Sequence, residues 1–174
     1  MQKFVFAIFF LVALSVSSGT LAVETILPSP TNFQHDAKMA TRDNQPIVIL
    51  FTLPGCAYCK EVREQYLAPI LREHAAEDRP LIREVDITSK ERFTGFSGEM
   101  ITHSEFASRF KVKAAPTVVF LDEHGNQVAD PLVGAGMAGF YGAYLDQALE
   151  ASRKVLKKHA HYQQPSALKA KLLL

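Results

Sequence analysis

The run IVILF, Ile47 to Phe51, is continuously apolar and is bounded by turn formers, Pro46 before it and Pro54-Gly55 after it. A short unbroken apolar run of this kind predicts a strand buried on both faces. Beyond the break, Cys56, Cys59, Val62, Tyr66 and Ile70 recur at helical spacing, and Ala68-Pro69 interrupts them. That interruption predicts a kink, or a second helix with Pro69 in its first turn. RPLIREVDI, Arg79 to Ile87, is a second strand candidate, and strand, helix, strand at this spacing argues for a parallel βαβ unit.

The same periodicities extend to either side. Phe33 to Asp43 is mostly helix-compatible and follows a proline-bearing lead-in, LPSPTN. Thr88 to Met100 is polar, holds two glycines and has no clear period, so it is expected to be a loop. Thr102-His103-Ser104-Glu105 fits a capping box opening a short helix through Phe110. Ala114 to Val128 reads as strand, turn, strand, with Asp122-Glu123-His124-Gly125-Asn126 supplying the turn of an antiparallel hairpin. A last helix should begin near Gly136 or Gly139 and bury Tyr141, Tyr144, Leu145, Ala148, Leu149, Ser152, Val155 and Leu156. The order α, β, α, β, α, β, β, α predicts a single α/β domain over 33–157, a central mixed β-sheet flanked by helices. Residues 158–174 are expected to be a basic flexible tail.

The first 22 residues change the picture. Lys3 precedes an apolar run from Phe4 to Leu14, followed by small and polar residues ending Thr20-Leu21-Ala22. That is the order of a secretory signal, and the run is short for a membrane span of about 20 residues. The expectation is a signal peptide over 1–22 and a lead-in over 23–32, with an uncleaved membrane anchor as the alternative. Cleavage after Ala22 removes Lys3 and leaves 18 basic against 18 acidic residues in the remaining 152. A chain this close to neutrality has no electrostatic footprint for nucleic acid. Export also places it where disulfides persist.

That compartment bears on the only two cysteines, Cys56 and Cys59, in FTLPGCAYCKEV. The alternatives are a metal clip, a structural disulfide and a redox pair. Structural zinc needs four ligands, and the six histidines are scattered with no second paired motif, so no metal is expected. A purely structural bridge across so short a loop gains little chain entropy. A redox pair makes use of the position. Cys56 falls just after a buried strand at a helix start, where unpaired N–H groups and the helix dipole favour a thiolate. Cys59 lies one turn further in. Cys56 is thus expected to attack and Cys59 to resolve the mixed disulfide.

A strand, CxxC at a helix start and a later strand opening with proline are the marks of the thioredoxin superfamily, which the chain resembles in IVILFTLPGCAYCK and VKAAPTVVFLDEHGNQV. The resemblance implies that Pro116 is a cis-proline whose loop faces the disulfide. It also implies a docking face made by Gly55, Ala57, Tyr58 and Ala115, the last offering its backbone to an extended client. CxYC, FSGEMITHSEFASRFKVKAAPTVVF and VGAGMAGFYGAYL are similar to exported thioredoxin-like proteins of the SoxW type. The C-terminal domain of the transmembrane reductase DsbD is similar in its PT-strand, D-x-x-G turn and G-x-x-x-x-F ending. There are departures. The chain has no Trp, carries Ala-Tyr between its cysteines, and has Leu50 where thioredoxin has a buried Asp taken to accept the resolving cysteine's proton. Either water takes that role or another carboxylate does, and Glu84, on the neighbouring strand candidate, is the candidate carboxylate.

Activity in this superfamily differs by potential, from about −270 mV for thioredoxin to about −180 mV for protein disulfide isomerase and about −120 mV for DsbA. Ala57-Tyr58 offers no His or charge to over-stabilise a thiolate, and no dimerisation domain of the isomerase kind precedes the motif. The reading is an exported protein-disulfide reductase, with an isomerase, an oxidase or a non-catalytic binding module as alternatives. It implies a periplasmic monomer acting on secreted protein thiols, no cofactor, and a membrane electron donor of the DsbD or CcdA kind. The Thr88 to Met100 segment would either overhang the site or form an inert surface loop.

Overall fold

Strand β1, Ile47–Thr52, is buried along its whole length, as its unbroken apolar run requires. It pairs in parallel with β2, Leu81–Asp86, and antiparallel with β5, Thr117–Leu121, so both of its edges are covered. The four-stranded sheet has the order β2-β1-β5-β6, where β6 is Leu132–Val133. A computed structural model describes residues 26–136 and 139–171, with side chains described as far as Tyr162. The expected signal peptide over 1–22 lies outside the described residues.

Alternation along β1 divides the interior into two cores. Ile47, Ile49 and Phe51 join a largely aromatic core with Phe33, Phe93 and Phe106. Val48 and Leu50 face the other way, into a core completed by the helices that follow the cysteines and by the last helix. Helix α1, Phe33–Asp43, covers the aromatic side; Asn32 caps it, its side-chain oxygen accepting from the N–H groups of Gln34 and His35. Helix α4, His103–Arg109, covers the same side and opens on the expected capping box between Thr102 and Glu105.

The Thr88 to Met100 segment is not the loop its polarity suggests. It carries a hairpin, β3, Arg92–Thr94, against β4, Met100–Thr102. Phe93 and Ile101 are buried, and the Phe96 ring stacks on Phe33 at 4.6 Å between centroids. Three apolar side chains spaced among charges carry the fold here, too sparse for a period to register. The segment is not an inert loop, because it is a wall of the aromatic core. The lead-in ties this hairpin to the sheet. Leu27 is buried, and the carbonyls of Pro28 and Thr31 accept from the N–H groups of Glu84 and Thr94. The open edge of β2 is therefore covered, as exposed sheet edges usually must be.

The second hairpin also differs from expectation. Its turn forms as the residues demand. Asp122 Oδ1 accepts from the N–H groups of His124 and Asn126, and Gly125 takes a φ of 81° that favours glycine. A Cβ at Gly125 would also lie 2.7 Å from the Phe96 ring. The returning chain, however, touches β5 only at a bridge from Gln127 to Leu121, leaves it, and rejoins as β6 opposite Thr117 and Val118. Ala129-Asp130-Pro131 explains the gap, since Pro131 has no N–H to give a ladder.

The final helix, α5, spans Tyr141–Lys171 and so runs through the tail region without a break at 157. Its buried stripe is Tyr141, Leu145, Ala148, Leu149, Ser152 and Leu156. Tyr144 is 46% exposed, against expectation, because it lies about 90° round the helix from the centre of that stripe. Val155, also off-centre, is half-buried.

Candidate active site

The chain leaves β1 at Thr52, and Gly55 makes the turn with a φ of 70°. Helix α2, Ala57–Glu61, follows, with Cys56 as its N-cap residue. The Cys56 Sγ accepts the N–H of Cys59 at 3.1 Å, taking up a helix-end donor that has no partner within the helix. The two cysteines form a disulfide, with 5.2 Å between their Cα atoms. Cys59 is fully buried and Cys56 is partly exposed. Only one of the two sulfurs can be approached from solvent, and it is the one at the helix start.

Downstream of α2 the backbone widens into a π-helical turn, Val62–Leu67, before α3, Ala68–Glu73. The N–H of Ala68 donates to the carbonyl of Arg63, five residues back. Pro69 causes this. It lacks an N–H, and its ring would clash with the carbonyl four residues earlier in a regular helix. Of the two sequence alternatives the second is realised, a new helix with Pro69 in the first turn of α3.

Cys56, Lys60 and Arg63 follow one another at intervals of four and three, so they share a helix face, and all three line an open cleft of about 510 Å³. Glu84 and Asp86 of β2 line it as well. Arg63 and Glu84 form a two-pronged pair, Nε to Oε2 at 2.8 Å and Nη2 to Oε1 at 2.5 Å. Their side chains are 16% and 14% exposed. Leu50 stands opposite Glu84 in the β1–β2 register, fully buried. The carboxylate of this site therefore sits one strand over from Leu50, in the cleft with Cys56 and already held by an arginine.

The third element comes from β5. Because β1 and β5 are antiparallel, with Phe51 opposite Thr117, the start of β5 lies at the sheet end from which the cysteine turn departs. The Ala115–Pro116 bond there is cis. Pro116 is buried, and its carbonyl accepts the N–H of Gly134 at 2.7 Å. Ala115 is half-buried, while Gly55, Ala57 and Tyr58 are exposed, Tyr58 to 65%. Among the described residues, no group of three His, Cys, Asp or Glu side chains is placed to hold a metal ion, and no helix is long and apolar enough to cross a membrane.

Sequence reasoning overlooked Arg63, Asp86 and His103. Arg63 stands four residues after Cys59 and seven after Cys56, a spacing that puts it on the cysteine face of a helix. Asp86 follows Glu84 by two, the spacing that keeps side chains on one face of a strand. His103 showed only as part of a capping box; it is 3% exposed, and burial holds its pKa below the ordinary value while Glu91 and Asp86 pull the other way.

Fold and site together define a thioredoxin-fold protein whose Cys-x-x-Cys pair is arranged as in a thiol–disulfide oxidoreductase. Residues 33–149 match the thioredoxin-like domain family, and the chain belongs to it. No curated protein matches the chain significantly. Among solved structures it is similar to a DsbH oxidoreductase, 20% identical over 77% of this chain and 90% of that one, with a TM-score of 0.50. A thioredoxin-fold protein from Helicobacter pylori is 19% identical over 71% of this chain and 86% of its own, with a TM-score of 0.48. Mitochondrial thioredoxin 3 from Saccharomyces cerevisiae, in its oxidised form, is 18% identical over 71% and 93%, with a TM-score of 0.46. At these identities the likeness is one of fold.

Proposed function

We propose that the protein is an exported protein-disulfide reductase. The observation that carries this reading is the asymmetry of the pair: Cys56 partly exposed at a helix start, Cys59 fully buried one turn on. In the reduced protein the Cys56 thiolate attacks one sulfur of a client disulfide. The client S–S bond breaks and its other sulfur leaves with the electron pair, taking up a proton. Cys59, deprotonated, then attacks the Cys56 sulfur and expels the client's second thiol, leaving the Cys56–Cys59 disulfide. Two electrons pass to the client. Glu84 is the carboxylate we assign to receive the Cys59 proton, in the place that Leu50 cannot fill. The exposed Gly55, Ala57 and Tyr58, with Ala115 beside Pro116, form the docking face.

The setting is read from the N-terminal sequence and from family resemblance. A signal-like segment supports export to the periplasm, with membrane anchoring as the alternative. The block from Phe96 to Phe120 supports a SoxW-type assignment. An exported reductase needs a source of electrons outside the cytosol, and a membrane carrier of the DsbD or CcdA kind would supply them to a monomeric protein. The near-neutral composition argues against nucleic acid as a partner.

The deciding experiment is the reduction potential of Cys56–Cys59 in the mature protein, equilibrated against thiol buffers. A value at or below about −250 mV supports the reductase, and one at or above about −180 mV moves the protein to disulfide formation or shuffling. Cys59→Ser should accumulate mixed disulfides through Cys56. A variant that traps nothing, with a disulfide that does not exchange, would make the domain a binding module.

A further inference from the structure

The cleft beside Cys56 does not end at Asp86. A second cleft of about 400 Å³ shares Thr52, Arg63, Glu84 and Asp86 with it, and continues to Ser89, Glu91 and His103. The two make one groove, leading from the attacking sulfur across the C-terminal end of β2 to the start of α4. Its charge changes along the way. Near Cys56, Lys60 pairs weakly with Glu64 at 3.9 Å, and Arg63 is matched by Glu84. Beyond the Arg63–Glu84 pair, which lines both clefts, the ionised groups of the far arm are Asp86 and Glu91. Among the described residues, the Asp86 carboxylate accepts from the N–H and hydroxyl of its neighbour Thr88, which are neutral donors. Glu91 is exposed.

His103 makes this more than a pair of acidic residues. It lines the far arm, is 3% exposed, and its Nδ1 is buried with no hydrogen-bond partner among the described residues. Burial keeps the ring neutral at pH 7, so it adds hydrogen-bonding capacity to the arm without positive charge. Two carboxylates and a neutral imidazole suit a cationic donor, and a buried polar atom without a partner is a costly thing to leave unmatched.

We propose that this arm receives a basic side chain, lysine or arginine, of the protein whose disulfide Cys56 attacks, so that the groove selects clients carrying a positive charge near the target cysteine. The proposal rests on the thiol-exchange reading for its client and names the client's class. An extended chain advances about 3.3 Å per residue, so the test scans the basic residue over the second to fourth positions from the cysteine. Of the docking face, Gly55 and Ala57 line the cleft at Cys56, whereas Tyr58 and Ala115 line neither arm of the groove. The docking face takes the client's backbone, the far arm a side chain.

The test uses the reduced mature protein and three disulfide-bonded peptides that differ only in Lys, Ala or Glu at those positions, with hydroxyethyl disulfide as an uncharged reference. The Lys peptide should be reduced about ten times faster than the Glu peptide at low salt, a difference of about 1.4 kcal/mol in barrier. The ratio should shrink with added salt, because the arm is open to solvent. In the Asp86→Asn, Glu91→Gln double variant it should fall close to one. Equal rates for the three peptides, or a ratio that the double variant leaves intact, would overturn the proposal. If no disulfide is reduced, the exchange reading fails by itself, and the proposal is judged on noncovalent affinity for the same peptides with serine in place of cysteine. A preference for Lys that the double variant removes sustains it, and equal affinities overturn it.

Discussion

Two adjacent residues of β2 point to opposite faces of the sheet, and each ends in an arginine–carboxylate pair. Arg83 reaches Asp36 of α1, with Nη2 to Oδ1 at 2.6 Å and Nε to Oδ2 at 2.8 Å. Glu84 takes Arg63 from the π-helical turn on the other side. The polarity is reversed: the strand supplies the cation to one face and the anion to the other. Asp36 is 4% exposed and sits against the aromatic core, where water cannot replace a lost partner. The Arg63–Glu84 pair lines a cleft that also holds Cys56. The same chemical contact is thus structural on one face and electrostatically coupled to a reactive sulfur on the other. What separates the two roles is the neighbourhood.

The comparison breaks most severely at the aromatic core itself. Phe106 touches Phe33, Phe93 and Phe110 at 5.1, 5.3 and 5.0 Å between centroids. Phe106→Ala should cost about 3–5 kcal/mol in denaturant unfolding of the oxidised protein while leaving the reduction potential of the remaining folded molecules in place. Arg83→Met comes next. It strands the Asp36 carboxylate and should cost about 3 kcal/mol, again with no change in potential. A shifted potential in either variant would mean that the two faces are coupled through the sheet.

On the cleft side the ranking of stability and redox effects should invert. Arg63→Met should cost less than Arg83→Met, about 1–2 kcal/mol, because the Glu84 left behind lines an open cleft. It also removes a cation from the cleft of the Cys56 thiolate, so the dithiol form is disfavoured and the potential should become more negative, by about 15–30 mV. Glu84→Gln should move it in the opposite direction. Equal shifts of the same sign in both variants would show that the pair acts through structure alone.

His103 gives a smaller, pH-dependent effect. Its folded pKa is lowered, chiefly by burial, with Glu91 and Asp86 opposing. The unfolded chain therefore binds the proton more readily. The stabilisation is fully present above the ordinary histidine pKa of about 6.5 and is lost as pH falls below it. Thermal unfolding followed from pH 7.5 to 5 should show this loss, and His103→Gln should flatten that part of the curve. At the small end, Thr102→Ala removes the capping box of α4 and should cost about 1 kcal/mol with activity intact.

Much of the frame was legible because it depends on local chemistry. An apolar run between Pro46 and Pro54-Gly55 has one good solution, a central buried strand. The Asn32, Thr102 and Asp122 side chains cap or turn the backbone within four residues of themselves, and Pro69 acts on the turn it sits in. The Cys56–Cys59 spacing put one sulfur at a helix start and the other one turn inside, and the structure keeps both there. Long-range features were less visible. Phe93, Phe96 and Ile101 lie scattered among charged residues, and only the packing of Phe33 and Phe106 reveals them as core.

What the sequence by itself determined, then, was the order of elements, the α/β class, the reactive pair and the proline that opens β5, all of which follow from neighbours in the chain. Only the tertiary structure decided that Glu84 meets Arg63 and that Asp86 and His103 share a groove with Cys56, and it placed Pro116 at the cysteine end of the sheet, where family resemblance and no rule of spacing had put it. Those contacts join residues 21 to about 60 positions apart. They are set by strand order and register, which emerge when two cores close over one sheet, and no local rule of spacing contains them.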